Sequence, residues 1–194
     1  MKKYYLLALL CLATVPAYAD IEDPCDDLWF SRNAMLDQAG YCFSSPLGKA
    51  IFDNSDCTTK QPKLTAQVKA QIALIKKYEN DDQGLYGRCD IDNQRQKLYV
   101  PNVKLRKQLD FQPATDGGIL ACMDFLGQGA KVYAAPSKNA RLMGKITKGD
   151  VLSLGHVDWN EWVFLTVTRG KKTVALGWVN TKFNDEKICK AWAG

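Results

Sequence analysis

The sequence predicts an α+β protein: a small, disulfide-stapled all-helical unit, then a small β-barrel. Three observations carry this reading. Six cysteines follow an apolar leader, four of them before residue 90. Apolar residues recur at helical spacing up to residue 79. From 128 to 183, short apolar runs alternate with glycines and charged turns, and Trp159, Trp162 and Trp178 mark the second half. The expected organisation is a leader at 1–19, a helical domain at 20–90, a connector at 91–118 and a barrel domain at 119–194.

Lys2 and Lys3 precede the apolar run Tyr4 to Val15, and Ala17-Tyr18-Ala19 fits the small-x-small pattern of a cleavage site. This reads as a secretory signal peptide cut after Ala19. Cys11 lies inside it; Leu10 stands where a lipoprotein would need a small residue. No later stretch has the length and apolarity of a membrane helix. The expected location is the periplasm or beyond, without a membrane span. The formal charge of +5 falls to +3 when Lys2 and Lys3 leave with the leader. Positives and negatives are interspersed, except from Lys97 to Lys107, which holds four basic residues and no acid. Such a balance tolerates anionic envelope partners, and nucleic acid is not expected in that compartment.

Cys25, Cys42, Cys57, Cys89, Cys122 and Cys189 remain. An even count in an exported chain argues for disulfides. No C-x-x-C occurs and there is a single histidine, so thiolate catalysis and zinc binding are weaker readings. The simplest division by spacing is Cys42–Cys57 around a short helix, Cys25–Cys89 tying the ends of the first region, and Cys122–Cys189 bracketing the second.

Asp26 or Asp27 is placed to cap a first helix running to Ala39, with Leu28, Trp29, Met35 and Leu36 on one face and Gly40 at its end. Ser45-Pro46 opens a second, short helix. Thr65 opens a third, reaching Glu79, with Val68, Ile72 and Ile75 at helical spacing. Between 90 and 118, Leu98 to Val100 and Val103 to Leu105 read as short strands of a connector. Arg32-Asn33, then Gly40-Tyr41 and Phe43, resembles the YARHG domain of bacterial exported proteins, although Gln38-Ala39 replaces that motif's Arg-His pair. The resemblance implies a helical extracytoplasmic module and brings no catalytic residue.

The second region reads as strands at 130–135, 142–146, 151–156, 162–168 and 173–179, preceded by an apolar lead-in at 119–126. Val132-Tyr133-x-x-Pro136, Gly144-x-Ile146-x-x-Gly149-Asp150, Asn160-Glu161-Trp162-Val163 and Gly177-Trp178-Val179 resemble bacterial SH3-like domains. That resemblance implies a binding module. Tyr133 falls beside the position where those domains carry an arginine.

Little here points to catalysis. His156 is the one available imidazole and has no motif around it, so it reads as structural. The pairs Asp26-Asp27 and Asp81-Asp82 read as caps and solvated loops rather than acid–base partners. Asp90-x-Asp92 lacks the glycine and glutamate of a calcium loop. No cofactor is expected. Arg32 reads as paired with a nearby carboxylate. Trp159, in the polar loop Asp158 to Glu161, is the better contact anchor. The expected function is non-enzymatic: a binding protein of the cell envelope that takes a peptide, a peptidoglycan fragment or a protein through a groove of Tyr133, Asp158, Trp159 and Trp178. The alternative is an immunity or inhibitor protein that blocks a secreted wall- or membrane-degrading enzyme.

Overall fold

The computed structural model describes residues 23–84, 87–181 and 186–194. The leader, its cleavage point after Ala19 and Cys11 lie outside the described residues.

Helix α1 spans Pro24–Gln38, α2 Pro46–Ile51 and α3 Ala66–Glu79. Each starts at a side-chain cap: Asp23 accepts from the Cys25 amide at 2.9 Å, Ser45 from Gly48 at 3.1 Å and Thr65 from Val68 at 3.2 Å. Residue 23, rather than Asp26 or Asp27, caps α1. Extended segments separate the helices, and Tyr41 pairs with Thr59 in a parallel bridge. The expectation of an all-helical N-terminal domain is therefore corrected. Helical periodicity covers only these three stretches; between them, the Cys42–Cys57 disulfide and turn hydrogen bonds hold the chain.

The connector forms no strand at 98–105. It holds one helical turn, α4, at Val103–Arg106. Beyond it, Leu109, Phe111, Gln112 and Ala114 are buried.

Seven strands follow: β1 Leu120–Phe125, β2 Lys131–Tyr133, β3 Leu142–Lys145, β4 Val151–Leu154, β5 Val163–Arg169, β6 Lys172–Val179 and β7 Cys189–Ala193. They form one sheet in the order β3-β2-β6-β5-β4-β1-β7, every neighbour antiparallel. This corrects the SH3-like barrel. The sheet has two ends, β3 and β7, and the C-terminal strand extends it beyond β1. The Cys122–Cys189 disulfide joins those last two strands. Local pattern registers that strands exist but not which of them pair.

The central strands bury both faces. Along β5 and β6, Phe164, Leu176 and Trp178 join a cluster with Leu28, Met35 and Ile75 of the helices and with Leu109, Phe111 and Ala114. Leu165, Val167, Ala175 and Val179 point into a second cluster with Cys122, Phe125, Val132, Ile146 and Leu152. The alternation follows from the two-residue period of a strand. Leu109 and residues 111–115 thus form a buried layer between helices and sheet, with Asp110 exposed. The third disulfide, Cys25–Cys89, ties the start of α1 to the segment after α3.

Candidate functional site

The loop between β4 and β5 is a tight turn. The Trp159 amide donates to the Trp162 carbonyl at 2.9 Å, and the Trp162 amide returns a bond to Trp159 at 3.0 Å. Asn160 sits in the left-handed region at φ 55°, a conformation that asparagine tolerates better than most side chains. The turn brings two indoles side by side, both half-buried. Trp159 rests edge-on against Phe111, centroids 5.0 Å apart, and Trp162 against Tyr133, 5.8 Å apart.

Two depressions flank this ridge. One, of about 490 Å³, lies between Trp159 and Trp162, Pro136 and the first turn of α3 at Ala66 and Gln67. The other, of about 590 Å³, is lined by Asp116, His156, Asp158 and Glu161 together with apolar Ile119 and Leu120. Asn160 and Glu161 border both. Partial burial, followed by repulsion from Asp116, raises the Asp158 carboxyl above its ordinary 3.8. Among the described residues no group of three or more histidine, cysteine or acidic side chains is arranged to hold a metal.

Of the four residues expected to form a groove, three stand on or beside the ridge: Tyr133 against Trp162, Trp159 in the first depression and Asp158 in the second. Trp178 does not. It is fully buried and its Nε1 donates to the Phe111 carbonyl at 2.8 Å. Its place is the core, where an indole N–H needs a partner.

Beneath the second depression lies a polar network that local sequence does not reveal. Asp27, fully buried, accepts from Arg106 Nη1 at 2.8 Å and Nη2 at 2.9 Å, and from the Ser31 hydroxyl at 3.0 Å. His156 Nε2 stands 3.2 Å from its Oδ2. Arg106 is itself only 2% exposed and lies over the rings of Phe30 and Phe164. Its Nε donates to Gln112 Oε1, whose amide returns a bond to the Arg106 carbonyl. Burial pushes the Asp27 carboxyl up, but Arg106 and His156 outweigh it and hold the group well below 3.8. Asp26, also buried, is paired with Arg95 and accepts from the Tyr99 amide at 2.7 Å. The one faint signal was the acid-free basic run Lys97 to Lys107, which contains the partner of Asp27.

The comparisons with known proteins match this architecture in two parts. Residues 88–194 match the family described as Domain of unknown function (DUF4453). The chain belongs to that family. Residues 2–80 match the YARHG domain, the resemblance expected from Arg32-Asn33 and Gly40-Tyr41, whereas no SH3-like family matches. No curated protein and no solved structure matches the chain. A YARHG domain and three disulfides are features typical of exported proteins. Among the described residues no helix is long and apolar enough to cross a membrane.

Proposed function

We propose that this chain is a non-enzymatic protein of the cell envelope, delivered to the periplasm or beyond by the leader at 1–19, that holds a peptide, a peptidoglycan fragment or a protein partner against the Trp159–Trp162 ridge. One observation supports the reading above the others. Two neighbouring indoles are half-exposed beside a depression of about 490 Å³, in a fold whose other tryptophans, Trp29 and Trp178, are buried in the core, and whose Trp192 is partly buried against the sheet. Half-exposed indoles supply large contact area at little entropic loss, which is why they anchor interfaces. The shelf is also preformed, since Phe111 and Tyr133 fix the two rings.

The test uses the mature chain, intrinsic tryptophan fluorescence and a set of purified probes: peptidoglycan stem peptides, soluble muropeptides and proline-containing peptides. Binding at the ridge shifts the emission to the blue. Trp159→Ala weakens it about tenfold or more, as expected of a central aromatic anchor, while circular dichroism stays native. Equal affinities for the wild-type chain and Trp159→Ala would remove the ridge from the binding surface. If the tightest partner proves to be a secreted wall- or membrane-degrading enzyme whose activity falls on binding, the inhibitor role replaces that of a binding protein.

A further inference from the structure

Arg32, Asn33, Tyr41 and Phe43, four of the five residues that carry the YARHG resemblance, line one cavity of about 600 Å³ together with Glu79, Arg88 and Asp90. It shares no lining residue with the depressions beside the tryptophan ridge. Its walls are pinned at three points. The Cys25–Cys89 disulfide fixes the 88–93 segment to α1, the Cys89 amide donates to the Glu79 carbonyl at 2.9 Å, and the Leu47 amide donates to the Asn93 carbonyl at 3.0 Å.

Arg32 is held in an unusual way. Its Nε reaches both oxygens of Glu79, at 3.0 and 2.9 Å. Among the described residues its two terminal nitrogens have no protein acceptor, although the side chain is only 21% exposed. Four of the five N–H donors of a guanidinium are therefore presented as a planar fork from a rigid helix. Asn33, 6% exposed, donates its amide to the Trp29 carbonyl at 2.8 Å and keeps its Oδ1 as an acceptor. Arg88 and Asp90 stand exposed at the rim.

We infer that this cavity binds a carboxylate-bearing ligand of the amino-acid type, with the free C-terminus of a short peptide as its class. The Arg32 fork matches a carboxylate in plane, which is the geometry of bidentate arginine recognition. The Asn33 Oδ1 and Asp90 are placed to accept from the amide N–H groups of the last two residues of such a peptide. Two arginines are balanced by Glu79 and Asp90, so the cavity favours a monoanion carrying its own N–H donors over a dianionic phosphate. The volume lies within the range of small-ligand sites.

Calorimetric titration of the full mature chain tests this with three probes: the tripeptide Gly-Ala-Ala with a free C-terminus, the same peptide amidated, and inorganic phosphate. The free acid binds, and amidation weakens it about tenfold, the loss of one charge-assisted pair. Arg32→Lys keeps the charge but loses the fork and weakens binding by a similar factor. Arg88→Gln, at the exposed rim, weakens it roughly two- to threefold without touching the Arg32–Glu79 pair. Trp159→Ala leaves the affinity unchanged, which separates this site from the ridge. Equal binding of the acid and the amide, no binding of the acid, or binding of phosphate alone would each overturn the inference. Should Arg32→Lys fail to fold, the amidated probe and Arg88→Gln still decide it.

Discussion

Asp27 occupies a position in α1 where its carboxylate meets Arg106 of α4 and His156 beyond β4. Three chain segments far apart in sequence converge on one buried anion. Removing one partner of such a pair leaves an uncompensated charge in the core. Arg106→Gln or Asp27→Ala should therefore lower stability by about 3–5 kcal/mol in urea unfolding. The pH dependence follows from the direction of the shift. Because the folded carboxyl sits well below 3.8, its contribution is fully present above that value and is lost as pH falls through the folded pKa. The stability gap between wild type and Asp27→Asn should be at its full size at about pH 5, then narrow below about pH 4. Urea midpoints measured across that range check both parts, and a gap that widens on acidification would contradict the assignment.

At the level of single elements, the β2–β6 crossing depends on Gly177. Its φ is +147°, and a Cβ there would stand 2.4 Å from the Tyr133 carbonyl oxygen. Because the obstruction is backbone on a paired strand, it cannot move aside. Gly177→Ala should destabilise the fold by about 1–3 kcal/mol, whereas Gly170→Asn should cost little, since Gly170 sits at φ +61° with nothing within 4 Å. Thermal melting of the two variants makes the comparison. In the turn at 159–162, Asn160→Gly keeps the left-handed residue and should preserve the paired indoles. Asn160→Val should loosen them, read as a change in tryptophan emission without loss of the sheet.

For the molecule as a whole, the two family matches meet between residues 80 and 88, yet one cluster joins Leu28, Met35 and Ile75 to Phe164, Leu176 and Trp178. A shared core couples the two parts. Urea unfolding followed by far-ultraviolet dichroism and by tryptophan emission should give one coincident transition, and two separated midpoints would show independent domains. The disulfides should rank by the loop they close. Cys25–Cys89 and Cys122–Cys189, separated by 64 and 67 residues, are each expected to contribute about 4 kcal/mol, and Cys42–Cys57, separated by 15, about 3 kcal/mol. Paired Cys→Ser variants measured in the same assay give the order.

What was legible in the chain was local. Three helices announced themselves through caps and apolar spacing, because a helix is built from contacts three and four residues apart. The strands from 130 to 179 were visible through their two-residue period and glycine turns. Trp159 stood out because a tryptophan in a polar loop lacks an obvious burial partner. The rest was decided by contacts between distant segments. Trp178 lies in a stretch whose pattern does not distinguish a rim from a core, and only the layer at 109–115 places it inside. Asp27 reads locally as a cap, and only Arg106, brought across from the connector, makes it a buried ion pair. The sequence by itself determined the positions of α1 to α3, those of the strands from 130 to 179 and a cysteine set suited to disulfides, since propensity and periodicity act over a few residues. Only the tertiary structure decided the order of seven strands, the cluster that joins the helices to one face of the sheet and the meeting of Arg32, Asn33 and Tyr41 around one cavity. Strand pairing and the partnering of buried charge depend on which surfaces meet, and no local pattern encodes that.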